Sequence, residues 1–193
     1  TASQVFNLPV QMVTPQMRSR AKAVNFGIVY GIGAFSLAKD IGVSNKEAKQ
    51  YIENYLAHYS GVDDYMKKMI DLAKDKGFSE TLFHRKRYLP ELASSNHMMR
   101  AFGERVARNM PIQGTSADII KIAMIRVRNR LKAENMQAKL ILQVHDELIV
   151  EAPENEADRT IRILEEEMEN AVKLNVPLIA EAGKGKTWYE AKA

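Results

Sequence analysis

The 193-residue sequence contains no cysteine, a single tryptophan and four histidines. Without cysteine there can be no disulfide framework, no thiolate nucleophile and no cysteine-ligated metal site. Its purely apolar runs are only a few residues long, so we expect no membrane-spanning helix and no membrane partner. Apolar residues nevertheless make up 46% of the chain and charged residues 27%, as in ordinary globular proteins. The composition therefore excludes disordered and collagen-like chains and predicts one sizeable domain or two small ones.

Charge is unevenly distributed along the chain, although the net charge is only +4. Residues 1–130 carry an excess of Lys and Arg, whereas residues 131–193 carry an excess of Asp and Glu. A basic first part suits a polyanionic partner such as nucleic acid or nucleotide. Lysine-rich, solvated helix faces would give the same excess, and charge alone favours that second interpretation.

Hydrophobic periodicity and capping signals predict a helix-rich α+β chain with a small antiparallel sheet near its end. Helix starts are indicated at Thr14-Pro15, at the Ser44–Glu47 capping box and at Asn96, and Pro111 and Gly114 are expected to interrupt a helix. The elements predicted after residue 131 are strands at 138–144 and 147–152, a helix at 155–174 and a strand at 177–181.

Two features close to residue 193 lead to structural rather than catalytic predictions. Gly183-Lys184-Gly185 lacks the strand–loop–helix setting of a phosphate-binding loop and is predicted to be a turn. Trp188 and Tyr189 are large aromatic residues, and we expect them to pack onto the body of the protein.

A charged and aromatic stripe occurs on the first long predicted helix. Arg18, Lys22, Phe26 and Tyr30 recur every four residues, so they share one face of the helix. Two cations followed by two rings match the order of phosphates, sugar and base in a nucleoside triphosphate. An amphipathic helix with core rings and solvated cations would give the same pattern, and it is the favoured interpretation of the stripe alone.

An acidic turn joins the two predicted strands in the segment LILQVHDELIV, residues 140–150. Its tip carries His145, Asp146 and Glu147. Mg²⁺ prefers oxygen ligands and retains several waters, so one or two carboxylates together with phosphate oxygens suit it. A plain hairpin with aspartate in its turn is the alternative.

A third polar segment, ERVARNMPIQGT, occupies residues 104–115. Arg105, Asn109 and Gln113 follow one another at four-residue spacing. Their guanidinium and amide groups can reach phosphate, sugar or base edges of a nucleic acid. Helix capping and ordinary polar solvation are the alternative.

Taken together, these segments resemble family-A DNA polymerases of the bacterial DNA polymerase I type. The run RSRAKAVNFGIVYG at residues 18–31 resembles motif B, and VHDE at residues 144–147 is similar to motif C, in the family's order. Residues 104–115 also resemble the family. Where many relatives have two adjacent arginines this chain has Arg-Ser-Arg, and Arg18 retains the four-residue spacing to Lys22.

The resemblance implies a role for each residue of the three segments. Arg18 and Lys22 would bind the triphosphate, Phe26 would stack on the nucleotide, and Tyr30 would lie at the templating base pair. The implied catalytic residues are Asp146, also a metal ligand, and Glu147 as a supporting acid. The implied DNA-binding residues are Arg105, Asn109, Gln113 and His145.

The resemblance also implies an architecture and an activity. Residues 1–103 would form a fingers subdomain with the motif B helix at about 15–31, and residues 104–193 the later part of a palm with the motif C hairpin at about 138–152. The implied reaction is template-directed DNA synthesis from dNTPs on a primer–template, with two Mg²⁺ ions, in the bacterial cytoplasm at the nucleoid.

One part of the family's catalytic machinery has no counterpart in the sequence. The two-ion site needs an aspartate from motif A, upstream of motif B, and no segment here resembles motif A. We therefore expect the chain alone to be inactive and to need the missing N-terminal part of the same polymerase.

Three other interpretations remain open. A non-catalytic nucleic-acid-binding module would explain the basic first part, but it gives the acidic tip no role. A fragment of a single-subunit RNA polymerase would share a similar motif B, although Asn25-Phe26-Gly27 favours the DNA enzyme. A purely structural helical domain predicts that nucleotide does not protect Lys22.

Overall fold

The structure, a computed structural model, describes residues 2–6 and 8–192. Over these ranges it is rich in helix and contains two separate two-stranded antiparallel sheets, which confirms the α+β class. The chain divides into two compact units, Thr1–Ile112 and Gln113–Ala193. The boundary predicted between residues 103 and 104 separates a fingers from a palm subdomain, which is a different division from that into compact units. It stays a prediction.

The first unit is built mainly of helices, with one short hairpin. The helices are α1 (Ala2–Phe6), α2 (Pro15–Val29), α3 (Ala34–Ile41), α4 (Asn45–His58), α5 (Ser60–Lys76) and α6 (His97–Asn109). The hairpin, β1 (Phe78–Glu80) and β2 (Lys86–Tyr88), follows α5, and Phe78 pairs with Tyr88. Short 3₁₀ turns cover Val10–Met12 and Pro90–Ala93.

The predicted helix starts in this unit are confirmed by their hydrogen bonds. The Thr14 side chain accepts from the Met17 N–H over 3.2 Å, with Pro15 at the first helical position of α2. Ser44 and Glu47 form a reciprocal capping box at the start of α4. Each cap satisfies backbone donors that the first helical turn leaves unpaired.

Two apolar clusters hold the first unit together. The larger one joins α2, α3, α4 and α5, and its buried residues are Val24, Ile28, Leu37, Ala38, Ile41, Ala48, Tyr55 and Met66. The Tyr55 hydroxyl donates to Asn25 Oδ1 over 2.6 Å, so this phenol is satisfied at the edge of the cluster. The smaller cluster packs α5 and α6 around Leu89, through Ala73 and Ala107.

The second unit combines helices with a hairpin. Its elements are α7 (Thr115–Ala133), β3 (Lys139–Val144), β4 (Glu147–Glu151), α8 (Ala157–Glu169) and α9 (Trp188–Ala191). Its buried core cluster is Val127, Leu131, Ala138 and Ile163. Strands β3 and β4 pair from Lys139 with Glu151 to Val144 with Glu147, with an irregularity at Ile141. The predicted acidic hairpin is therefore confirmed, with a two-residue turn.

The predicted interruption of a helix at Pro111 and Gly114 is confirmed, since α6 ends at Asn109 and α7 begins at Thr115. Residues Met110–Gly114 form a π-helical turn between them, and this wider turn tolerates the missing N–H of Pro111.

The predicted end of the helix at residues 155–174 is wrong. Helix α8 ends at Glu169 rather than at residue 174. The Asn170 side chain and backbone N–H both donate to Glu166 O, over 2.7 and 3.1 Å, and so close the last turn of α8.

The strand predicted at residues 177–181 is also wrong, since this segment is irregular. The Ala180 and Ala182 N–H groups donate to the carboxylates of Glu169 and Glu165, so α8 takes the place of a partner strand. Tyr189 is 87% exposed and does not pack as predicted. Within the described residues no helix is long and apolar enough to cross a membrane.

Candidate active site

Helix α2 separates the predicted nucleotide-binding residues from the core. Its buried residues are Ala21, Val24 and Ile28, which face the larger apolar cluster of the first unit. The four predicted residues lie outside this buried face and are exposed: Arg18, Lys22, Phe26 and Tyr30. The interpretation that the rings belong to the core is therefore wrong. We call these four residues the α2 stripe.

The α2 stripe is ordered by contacts between its own members. The rings of Phe26 and Tyr30 stack with centroids 6.2 Å apart and an angle of 19° between their planes. Lys22 Nζ lies 5.8 Å from the Phe26 ring centroid, within reach of a cation–π contact. Phe26 is 46% exposed and Tyr30 41%. An apolar surface is thus presented next to a cation, which suits a ligand with a flat ring and negative charge.

Arg18 and Arg20 differ in surroundings although only one residue separates them. Glu47, at the start of α4, has a lowered pKa, mainly through hydrogen bonds from Ser44 and to a smaller extent through the charge of Arg20. Arg20 is therefore close enough to α4 for its charge to stabilise the Glu47 carboxylate. Arg18 is exposed and makes no ion pair within the part of the chain that the structure describes. This difference favours Arg18 over Arg20 as a phosphate ligand.

The end of α2 contacts α6. Gly31 has a φ of 76°, and a Cβ placed on it would lie 2.7 Å from Arg108 Nη2 and 3.3 Å from Arg105 Cγ. Burial lowers the pKa of the Arg108 guanidinium, while Glu104 acts in the opposite direction. Arg108 is therefore a half-buried cation directly after the α2 stripe. The sequence reasoning missed it, although the Arg105–Arg108 spacing places both on neighbouring parts of one helix face.

The other predicted DNA-binding residues of this region fall in both units. Arg105 is exposed, and its guanidinium carbon lies 5.8 Å from the Phe102 ring centroid. Asn109 Oδ1 is buried and has no hydrogen-bond partner among the described residues. Gln113, the first residue of the second unit, is exposed. An unsatisfied amide oxygen is costly, so Asn109 is a good candidate for a ligand contact.

The β3–β4 turn brings His145, Asp146 and Glu147 together at the tip of the hairpin. His145 has a φ of 54°, in the left-handed region that is uncommon for residues other than glycine. His145 and Asp146 are exposed. Such backbone strain is often found at functional turns.

Glu147 differs from Asp146 in its partners. Lys192 Nζ lies 2.5 Å from Glu147 Oε1, and Trp188 Nε1 donates to Glu147 Oε2 over 3.2 Å. The hydrogen bond from Lys192 is the main cause of the lowered pKa of Glu147. The structure gives Asp146 no hydrogen bond or ion pair to any described residue. The two adjacent acids are therefore chemically distinct.

The tip can contribute to a metal site but does not form one alone. An exposed carboxylate such as Asp146 fits one position of a Mg²⁺ shell, which takes few carboxylates and several waters. Across the described ranges, no group of three His, Asp or Glu side chains could hold a metal ion. A complete site would need further carboxylates from elsewhere.

Comparison with known proteins places these observations in one family. The sequence profile of DNA polymerase family A matches residues 1–190. The chain therefore belongs to DNA polymerase family A, which confirms the resemblance seen in residues 18–31, 104–115 and 144–147. Family A polymerases generally use divalent metal ions.

Individual relatives are similar over the whole chain. It is 52% identical over 192 residues to DNA polymerase I of Caldicellulosiruptor bescii and 53% identical to that of Bacillus caldotenax. The matches cover 100% of this chain but only 23% and 22% of those relatives. The chain thus spans less than a quarter of the length of the curated relatives that it matches.

A solved structure has the same fold. The POL domain of Pol1 from M. smegmatis, in a complex with DNA primer–template and dNTP, superposes with a TM-score of 0.95 at 43% sequence identity. The match covers 100% of this chain and 34% of that one. Family membership favours a DNA polymerase over the RNA polymerase and purely structural interpretations.

Proposed function

We propose that this chain is the nucleotide-binding and primer-terminus part of a template-directed DNA polymerase. The parent reaction transfers a nucleotidyl group from a dNTP to the 3′-hydroxyl of a primer. The observation that carries the proposal is the α2 stripe, an exposed row of two cations and two stacked rings on a helix whose opposite face is buried. A dNTP has the complementary order of charge and ring.

Each member of the α2 stripe takes the part of the nucleotide that suits its chemistry. Arg18 binds phosphate oxygens through its planar guanidinium, and Lys22 acts as a compact charge on the same triphosphate. Phe26 stacks on the nucleotide, and Tyr30 lies at the templating pair. The 6.2 Å ring stack supports this assignment, because the two rings already offer a continuous apolar surface.

Primer–template DNA is bound by Arg105, Asn109 and Gln113, and His145 lies near the primer terminus. The unpaired Asn109 oxygen supports a contact to a donor on the nucleic acid. Arg108, against Gly31, adds positive charge behind the end of α2. In the M. smegmatis structure the related domain is in a complex with primer–template and dNTP, which supports the choice of partners.

Asp146 is proposed as a catalytic carboxylate and metal ligand, with Glu147 as the supporting acid. Two bound Mg²⁺ ions would activate the attacking hydroxyl and stabilise the leaving oxygen. Within this chain the role of Asp146 is to present an exposed carboxylate at a turn held by two paired strands. The remaining ligand is an aspartate of motif A, from the upstream part of the polymerase.

This proposal includes an architecture for the parent protein. Residues 1–103 form its fingers, residues 104–193 form the later part of its palm, and the protein acts in the cytoplasm on the bacterial chromosome. The isolated chain lacks motif A and is proposed to be inactive alone.

Primer extension tests the proposal directly. The 193-residue chain is assayed with Mg²⁺, all four dNTPs and a primer–template, beside a reconstituted polymerase in which the chain replaces the matching segment of Bacillus caldotenax DNA polymerase I. We expect the reconstituted polymerase to extend the primer, its Asp146→Asn variant to lose extension, and the isolated chain to show none. Extension by the isolated chain would show that motif A is dispensable, and full activity of Asp146→Asn would remove Asp146 from the site.

A further inference from the structure

Helix α9 and Lys192, the residue that follows it, bind both oxygens of the Glu147 carboxylate. Lys192 Nζ lies 2.5 Å from Oε1, and Trp188 Nε1 donates to Oε2. Lys192 Nζ also lies 5.7 Å from the Trp188 ring centroid, so the two donors contact each other. Because each carboxylate oxygen has its own donor, rotation of the carboxylate breaks at least one hydrogen bond. The orientation of Glu147 is therefore set by Trp188 and Lys192 together.

Helix α9 is itself held by the segment that precedes it. A Cβ on Gly183 would lie 2.1 Å from the backbone oxygen of Ala191, and a Cβ on Gly185 would lie 2.6 Å from Glu190 Cβ. The Glu190 carboxylate also accepts from the Lys186 N–H over 2.8 Å. The two glycines, predicted as a plain turn, thus allow the chain to pass directly against α9.

This arrangement gives the adjacent acids of the hairpin tip different roles. Glu147 is occupied by an ammonium group and an indole N–H, whereas Asp146 has no protein donor among the described residues. Asp146 is therefore the carboxylate left available to an external cation, while Glu147 is held in one orientation beside it.

We propose that Trp188 and Lys192 are positioning residues, which fix Glu147 at the hairpin tip and leave Asp146 as the acid that faces a divalent cation. The catalytic consequence rests on the proposed function, but the contact itself does not. Lys192 and Glu147 side chains are 63% and 36% exposed, so their ion pair adds little to stability. Variants at these positions should therefore fold.

The only tryptophan of the sequence reports on this contact in the 193-residue chain. Glu147→Leu removes both acceptors, and we expect it to shift Trp188 emission and increase quenching by acrylamide. Asp146→Asn, one residue away, is the matched control and should leave the emission unchanged. Gly183→Ala should shift the emission without altering any donor, whereas Gly61→Ala, which meets no atom within 4 Å, should not.

The reconstituted polymerase tests the catalytic consequence. Lys192→Met should lower kcat roughly tenfold, as loss of an outer-shell partner does at metal sites, with the KM for dNTP unchanged. Lys192→Arg should restore most of the rate, which a merely structural defect would not explain. Circular dichroism of each variant checks that helix content is retained.

The outcomes separate this inference from the proposed function. If the reconstituted polymerase without substitutions fails to extend primers, the proposed function is wrong, and the Trp188 emission still decides whether the contact exists. Unchanged Trp188 emission in Glu147→Leu would show that Trp188 does not contact Glu147. This result stands alone, so it also decides the question if Gly183→Ala fails to fold. Unchanged kcat in Lys192→Met would overturn the positioning role.

Discussion

Gly31 and Arg108 meet at a contact that leaves no room for a Cβ. The nearest guanidinium nitrogen would lie 2.7 Å from a Cβ on Gly31, and its carbon 2.9 Å away. The backbone of Gly31 also has a φ of 76°, a region that side chains disfavour. Gly31 thus follows the end of α2 and allows a half-buried cation to lie against its backbone.

Gly31→Ala should destabilise the first unit by about 1–3 kcal/mol, because it combines a left-handed backbone with a steric clash. Urea unfolding followed by circular dichroism measures the change. Gly61→Ala is the control, since a Cβ there meets nothing within 4 Å, and it should be neutral or slightly stabilising. Equal stability of the two variants would show that neither the backbone conformation of Gly31 nor its contact with Arg108 disfavours a side chain there.

The larger cluster of the first unit should depend on Leu37, which is fully buried on α3. Leu37→Ala should cost about 2–5 kcal/mol, from lost burial and the cavity left behind. Phe35, on the same helix, is 77% exposed, so Phe35→Ala should change stability by no more than about 0.5 kcal/mol. Thermal unfolding of the two variants provides the comparison. A similar loss in both would mean that α3 is packed differently.

Local signals in the sequence predicted much of the fold. Thr14, Ser44 and Asn96 act within three residues of themselves, so their caps could be identified without tertiary information. The α2 stripe was predictable for the same reason, because a four-residue spacing fixes a helix face. Its exposure was not, since rings on a helix pack inward or outward according to neighbours that the local pattern does not reveal.

Features that depend on distant contacts could not be predicted. Glu147 meets Lys192 across 45 residues, and no periodic pattern indicates such a pair. The strand predicted at 177–181 is wrong because carboxylates of α8 accept the N–H groups of Ala180 and of Ala182, the residue just after this segment. Side-chain acceptors of this kind satisfy the backbone N–H groups of an extended segment without a partner strand. The apolar pattern of the segment alone therefore led to the wrong prediction of a strand.

Acid should weaken the second unit through Glu134. Hydrogen bonds from Arg159 and Arg130 lower the pKa of Glu134 from 4.5 to about 2. A carboxylate with a lowered folded-state pKa stabilises the fold above its unfolded pKa, and this contribution is lost as pH falls from about 4.5 to about 2.

Unfolding free energy measured across that pH range tests the Glu134 prediction. Glu134→Gln should flatten the dependence by removing the titrating group, whereas Glu151→Gln, at an exposed strand position, should leave it unchanged. If the unfolding free energy of Glu134→Gln depends on pH as steeply as that of the wild type, other carboxylates cause the acid sensitivity.

Nucleotide affinity should depend on Lys22 far more than on Arg20. Lys22 lies in the α2 stripe beside Phe26, whereas the charge of Arg20 acts on Glu47 of α4. Loss of a charged hydrogen bond to phosphate costs about 1.5–3 kcal/mol, so Lys22→Met should weaken dNTP binding roughly 10- to 100-fold. Arg20→Met removes the same charge two residues before Lys22, outside the α2 stripe, and should have little effect. Titration of the reconstituted polymerase on primer–template with dNTP measures both affinities. Equal weakening in the two variants would mean that net charge, rather than the geometry of the α2 stripe, attracts the nucleotide.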